Sequence, residues 1–261
     1  VHDRKIAVVA KNLSQSLIDS LRFAAEIGAR GIQCDARSEL RPKDFSNTGR
    51  RQFSRQLENH RLRISALEFL PSQTIYEPER LDARIDAIAA AMRLTHDFKS
   101  KILVTRIGRI PAEDNPQFQT LVDLLNDLSR TGNHVGCSLA ILPSRNEPQQ
   151  LFKLFERTEE GAIGLCYDPA AFFLAGNDPV EAFKLLHRRI VVLKVRDALN
   201  DVDGEREEVP LGRGEIAWDE IAVLLDQAEY SGWWTVCRTQ GNDRKGDIAR
   251  AIRYVTGISS E

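Results

Sequence analysis

Eight short runs rich in β-branched residues recur along the 261-residue chain, separated by longer amphipathic stretches. The runs are IAVVA (6–10), GIQCDA (31–36), ISALEFL (64–70), ILVTRIG (102–108), CSLAILP (137–143), IGLCYD (163–168), IVVLKVRD (190–197) and WWTVCR (233–238). Between them, SLIDSLRFAAEIGA (16–29) carries Leu17, Leu21, Ala24 and Ile27 at helical spacing. Segments 80–94, 117–130 and 179–189 read as helices too, and Asp178 before Pro179 reads as an N-cap followed by a first-turn proline. Strands that alternate with helices form parallel sheets. Eight such units in a chain of this length predict closure into a (β/α)8 barrel spanning 1–261 as one domain. The alternative, a doubly wound open sheet, lacks the expected GxGxxG after the first run. One long polar insert, 198–218, follows the seventh run.

Composition narrows the function classes. A formal charge of −2 argues against a nucleic-acid protein held by a general basic surface, while leaving room for a local basic pocket. No apolar run reaches the ~18 residues that span a bilayer. The opening VHDRK has no apolar core of a signal peptide, although the chain starts at Val and not Met. The expectation is a cytoplasmic protein with no membrane partner. Cys34, Cys137, Cys166 and Cys237 form no CxxC pair, and each lies in or beside an apolar run. They read as buried, reduced thiols.

In β/α barrels the chemistry sits at the C-terminal ends of the strands. That rule selects Lys11, Asp35 with Arg37, Glu68, Arg106, Leu142 with Ser144, Asp168, Lys194 with Arg196, and Cys237 with Arg238. Alternation sends only every second strand residue into a barrel. Arg238 therefore has the wrong parity relative to Cys237, and Asp197 relative to Lys194.

Four segments carry a resemblance. Asp168-Pro169 is similar to a DPxH-type motif, IVVLKVRD to IxHVHxKD, PLGRGEIAW (210–218) to PLGxGxIDW, and YSGWWTV (230–236) to YxGWxxxE. Together they resemble the xylose-isomerase-like barrels, which include sugar-phosphate isomerases, ketose epimerases and endonuclease IV. The match covers the second half well; the first hundred residues agree in rhythm alone. The resemblance implies a divalent metal held by Glu, Asp, His and Glu at the ends of strands five to eight. Those positions here are Leu142, Asp168, Lys194 and Cys237, and the family's His after the Asp falls on Ala171. One carboxylate cannot hold such a metal unaided, and an ammonium repels it. No metal or other cofactor is therefore expected. None of the five histidines is expected at a strand C-terminus.

The resemblance implies a divergent sugar isomerase or epimerase that binds a small polyhydroxy or anionic sugar derivative. Catalysis would be proton transfer next to a carbonyl, with Lys194, Asp168 and Glu68 as the chemical groups. An Asp168–Lys194 ion pair is expected. Asp35, Arg37, Arg106, Ser144, Arg196, Cys237 and Arg238 would contact the ligand, and the basic set would favour sugar acids or phosphates. Each group also has a plainer reading: a fixed ion pair, a strand-end carboxylate in solvent, a buried neutral thiol at Cys237. A catalytically inactive barrel kept for binding or scaffolding is the alternative function. Trp218, Trp233 and Trp234 read as packing residues, and Gly212 and Gly214 as loop geometry.

Overall fold

The computed structural model describes residues 4–159 and 161–258. Ten strands are present among them: β1 Lys5–Val9, β2 Gly31–Asp35, β3 Arg63–Phe69, β4 Ile102–Thr105, β5 Ser138–Ile141, β6 Ile163–Tyr167, β7 Ile190–Val195, β8 Asp197–Asn200, β9 Arg206–Val209 and β10 Trp233–Val236. Eight close into a barrel of order β1-β10-β7-β6-β5-β4-β3-β2, each neighbouring pair parallel. The remaining two, β8 and β9, form an antiparallel hairpin inside the polar insert that follows β7. The expected (β/α)8 barrel is thus the observed one, with a hairpin where the sequence showed only a polar stretch. Register shifts at Ile32/Gln33 and Leu165/Cys166 adjust the closure.

The outer helices are α1 Leu17–Glu26, α2 Asn47–Asn59, α3 Leu81–Asp97, α4 Pro116–Val135, α5 Pro148–Arg157, α6 Pro169–Leu174, α7 Pro179–Leu186, α8 Trp218–Gln227 and α9 Arg244–Gly257. Local chemistry starts them. Ser16 caps α1 by accepting from the Asp19 N–H, and Asp178 caps α7 by accepting from Val180 and Glu181. Gly136, in the left-handed region at φ 78°, ends α4. Trp218 packs against Trp234 with ring centroids 6.4 Å apart, joining α8 to β10.

Inside the barrel a small cluster of Ala66, Val104, Ala140, Cys166 and Val192 packs on itself. These residues are fully buried and separate from the larger core between strands and helices. Two residues further along each strand or its continuation, and hence on the same inward face, stand Glu68, Arg106, Leu142, Asp168 and Lys194. The barrel floor thereby determines which side chains meet at the mouth.

Candidate functional site

Strands β3 and β7 are four places apart in a ring of eight, so they face each other across the barrel. Lys194 on β7 nevertheless brings its Nζ to 3.8 Å from Glu68 Oε2 on β3. Their side chains are only 4% and 5% exposed, so this pair spans the centre of the mouth under cover. Gln33 on β2 donates to the same Glu68 oxygen at 2.9 Å. Lys11, just past β1, touches the other oxygen and lies 3.3 Å from Asp35. Lys11 is the more open member, with 39% of its side chain exposed. Burial acts against its charge, but Glu68 and then Asp35 outweigh this and raise its pKa.

The carboxylate neighbourhood extends to Glu39, whose Oε2 accepts the Asp35 N–H at 2.7 Å. Burial first, and the Asp35 charge in addition, push its carboxyl up to about 7, against the help of that N–H and of Lys11.

The opposite half of the mouth is different in kind. Asp168 accepts the Ala171 N–H at 2.9 Å and so caps α6, whose first residue is Pro169. Its carboxylate also receives Arg196: Nε lies 3.1 and 3.0 Å from the two oxygens, and Nη2 lies 2.9 Å from Oδ2. The other end of Arg196 donates to Glu208 on β9 at 2.8 Å. Glu208 accepts in addition from Arg238 at 3.2 Å, from the Thr239 N–H at 2.7 Å and from the Thr239 hydroxyl. Arg238 continues to Asp247 on α9 at 3.0 Å, and Arg250 closes on Asp247 at 2.6 Å. Burial acts against the Arg196 charge, yet Asp168 and Glu208 hold its pKa above the ordinary arginine value. Burial would raise Glu208, but Thr239 and Arg196 hold it below the usual carboxylate range.

One expectation is corrected by this geometry. Asp168 and Lys194 do not pair; Arg196 takes Asp168, and Lys194 reaches across to Glu68. Arg238, expected to point outward by parity, lies under cover between Glu208 on β9 and Asp247 on the outer helix α9. Strand β10 has ended at Val236, so alternation no longer governs it. Asp197 does point away from the mouth, and for a reason: its carboxylate accepts N–H groups from Ala198, Gly212, Gly214 and Ile216 at 2.9–3.3 Å. Gly214 is required there, since a Cβ would meet Asp197 Oδ1 at 2.1 Å and the Ala198 carbonyl at 2.4 Å.

The remaining candidates sit at the rim. Arg37 donates to the Leu70 carbonyl and stands 5.7 Å over the Phe69 ring. Arg106, exposed, donates to the Pro71 carbonyl at 3.1 Å. Both tie down the loop after β3. The half-buried Ser144 holds a buried hydroxyl without a hydrogen-bond partner. Cys237 is buried, and desolvation pushes its thiol up to about 11 despite Lys194 and Arg196. It is a neutral thiol near pH 7, like the plainer reading of its sequence. Gln33, Glu39, Glu208, Thr239 and Asp247 escaped the sequence reading. Gln33 had a signal, lying two residues before Asp35 on the same face.

A divalent metal does not suit these residues. Leu142 offers no donor atom, Lys194 is itself a cation, Cys237 holds its proton, and the Asp168 oxygens face Arg196 and the Ala171 N–H. Among the described residues no group of three or more His, Cys, Asp and Glu is placed to hold a metal.

The architecture is that of a TIM barrel with a polar mouth whose charges are supplied by the chain itself. The chain belongs to the family described as xylose isomerase-like TIM barrels, whose sequence profile matches residues 21–257. No curated protein matches the chain significantly. Among solved structures it is similar to a xylose isomerase domain protein from Planctomyces limnophilus, with 18% identity and a TM-score of 0.87 over 98% of this chain and 97% of that one. A xylose isomerase-like TIM barrel protein from Mycobacterium smegmatis, in complex with magnesium, is 16% identical with a TM-score of 0.81 over 99% and 97%. The probable 3-DHS dehydratase AsbF of Bacillus anthracis gives 15% and 0.80 over 98% and 100%. At these identities the likeness is one of fold.

Proposed function

We propose that this chain is a metal-independent member of its family that binds a small polyhydroxy compound over the Lys11–Glu68–Lys194 floor. The observation that carries the reading is the Lys194–Glu68 pair across the centre of the mouth. Solved neighbours include an L-ribulose 3-epimerase and a D-psicose 3-epimerase, which supports a sugar-like ligand. The chemistry that suits the floor is proton transfer beside a carbonyl. Glu68 is the group to take the proton, and the ammonium groups of Lys194 and Lys11 would stabilise the charge that develops on the carbonyl oxygen. Asp35 and Arg37 stand on the same side to receive hydroxyls, with Arg106 and Ser144 further round the rim. Asp168, Arg196, Cys237 and Arg238 shape the far wall.

The expected preference for anions has its support at the rim, where Arg37 and Arg106 donate to the Leu70 and Pro71 carbonyls, and not over the floor. Lys11 and Lys194 face Glu68, and Arg196 and Arg238 face Asp168, Glu208 and Asp247. Compensated cations favour a hydroxyl-rich ligand, which can donate to carboxylates and accept from ammonium at once. An inactive barrel kept for binding or scaffolding is the second reading, favoured by the closed Asp168–Arg196–Glu208–Arg238 chain.

Thermal-shift screening with aldoses, ketoses, polyols and their acids and phosphates tests this, repeated with Lys194→Met and in chelator. Chelator-resistant shifts with ketoses or polyols, lost in Lys194→Met, are expected. Stabilisation that requires a divalent metal would overturn metal independence. No shift with any compound would leave the inactive reading standing.

A further inference from the structure

The charge of this chain is unevenly spread. On the outside of the barrel a groove of about 690 Å³ runs between α2, α3 and α4. Its floor is apolar (Pro42, Ala90, Leu94, Val135), and its rim carries Lys43, Arg50 and Arg93, with Asp97 the one carboxylate in the lining. Asp97 is already engaged by Arg50 at 2.6 Å. A second hollow of about 420 Å³ shares Pro42, Lys43 and Ala90 with the first and adds Arg37 and Arg41, the latter ion-paired with Asp44. The two form one basic channel with an apolar floor on a chain whose net charge is −2.

The matching object lies on the same molecule. The tip of the β8–β9 hairpin reads Asp201-Val202-Asp203-Gly204-Glu205, and Val202 is 101% exposed. Among the described large hydrophobic residues called exposed, the next is Ile18 at 47%. The tip is preformed: the Asp201 side chain accepts the N–H groups of Asp203 and Glu205 at 2.9 and 2.8 Å. A rigid tip loses little conformational freedom on docking. A lone, wholly exposed valine between aspartates fits an apolar floor with a basic rim.

The hairpin follows β7, and α3 follows β3, on opposite sides of the barrel. One copy cannot bring its own tip to its own groove. We propose that the β8–β9 tip of one copy docks into the α2–α3–α4 groove of a second copy, in a head-to-tail contact. Because tip and groove lie on opposite sides of the barrel, two copies cannot engage both at once across a two-fold axis, so the contact extends into rings or short chains.

Sedimentation velocity of the full chain from about 1 µM to about 1 mM reads the result. Association that weakens with added salt is expected. Lys43→Glu with Arg93→Glu reverses the groove, and Asp203→Lys with Glu205→Lys reverses the tip; all four residues are exposed. Each pair alone should weaken association about tenfold or more. An equimolar mixture of the two variants should associate again, since each then offers the other an opposite charge. A chain monomeric throughout, association indifferent to the swaps, or a mixture that stays apart would each overturn the proposal. Binding of a labelled oligonucleotide that depends on Lys43 and Arg93 in a monomeric chain would also overturn it.

Discussion

On the β6–β7–β10 side of the mouth, Asp168, Arg196, Glu208, Arg238 and Asp247 are committed to one another in an alternating chain of charge. On the β1–β2–β3 side, Lys11 is partly open, and Asp35 and Glu39 share a hydrogen bond beside it without a cation of their own in hydrogen-bond contact with Glu39. Both halves use carboxylates and cations at strand ends. They differ in how many partners each buried group has. Glu208 receives four hydrogen bonds from three residues. The sealed half is a structural joint that fastens the hairpin and α9 to the barrel, whereas the open half keeps donors and acceptors within reach of solvent.

Glu208→Ala tests the contrast most severely. Its side chain is 1% exposed, and removing it takes a shared partner from two covered guanidinium groups, Arg196 and Arg238, which keep Asp168 and Asp247. Losing this shared acceptor, with each arginine keeping one carboxylate, costs about 3 kcal/mol, which in a chain of this length corresponds to roughly 10 °C in Tm. Urea unfolding and calorimetry read both. A cost below about 1 kcal/mol would show that the joint is solvated in solution. The acid limb gives an independent reading. Because the Glu208 carboxyl is lowered in the folded state, its contribution is present above the unfolded value near 4.5 and is lost as pH falls through the folded one. Glu208→Gln should therefore flatten the acid limb relative to the parent chain.

Lys194→Met sharpens the comparison at the covered pair that joins the two halves. Glu68 loses one ammonium but keeps Lys11 and Gln33. The methionine also fills much of the lysine stem's volume. A cost of about 1–2 kcal/mol follows, between that of an exposed and a stranded buried pair. A loss equal to that of Glu208→Ala would mean that Lys194 is as structural as Arg196, and would weaken its assignment to ligand binding.

What the sequence disclosed follows the same division. Strand rhythm is a local property, and all eight barrel strands lie within the runs read from it or one residue outside them. Parity along a strand correctly sent Lys194 inward and Asp197 outward. It could not say which inward groups would meet, because Glu68 and Lys194 are joined across the barrel by shear and side-chain length. Nor could it see Glu208, which enters the mouth from a hairpin whose pairing is set by the turn at 201–205. The retained motifs now have local explanations. Asp168-Pro169 caps a helix, and the PLGRG loop folds around the Asp197 carboxylate. Neither task needs a metal, so these motifs remain while three of the four family ligand positions hold Leu142, Lys194 and Cys237.

The smallest effect concerns Glu39, and its sign is opposite to that of Glu208. Burial raises its folded pKa from 4.5 to about 7, so between those values the folded chain holds a proton that the unfolded chain has released. Stability from this group is complete below 4.5, declines as pH rises, and levels off above about 7. The full shift would amount to about 3 kcal/mol in a dry site; partial solvation at the open half reduces this to about 1 kcal/mol. Glu39→Gln retains an acceptor for the Asp35 N–H and removes the titration. The difference in unfolding free energy between parent and variant, measured in urea at pH 5 and pH 8, isolates the group from Asp35, Lys11 and Glu68, which both chains share. The variant should gain on the parent from pH 5 to pH 8. A difference that stays flat across that range would mean that Glu39 is solvated like an ordinary surface carboxylate, and the open half would then extend one layer deeper than the geometry indicates.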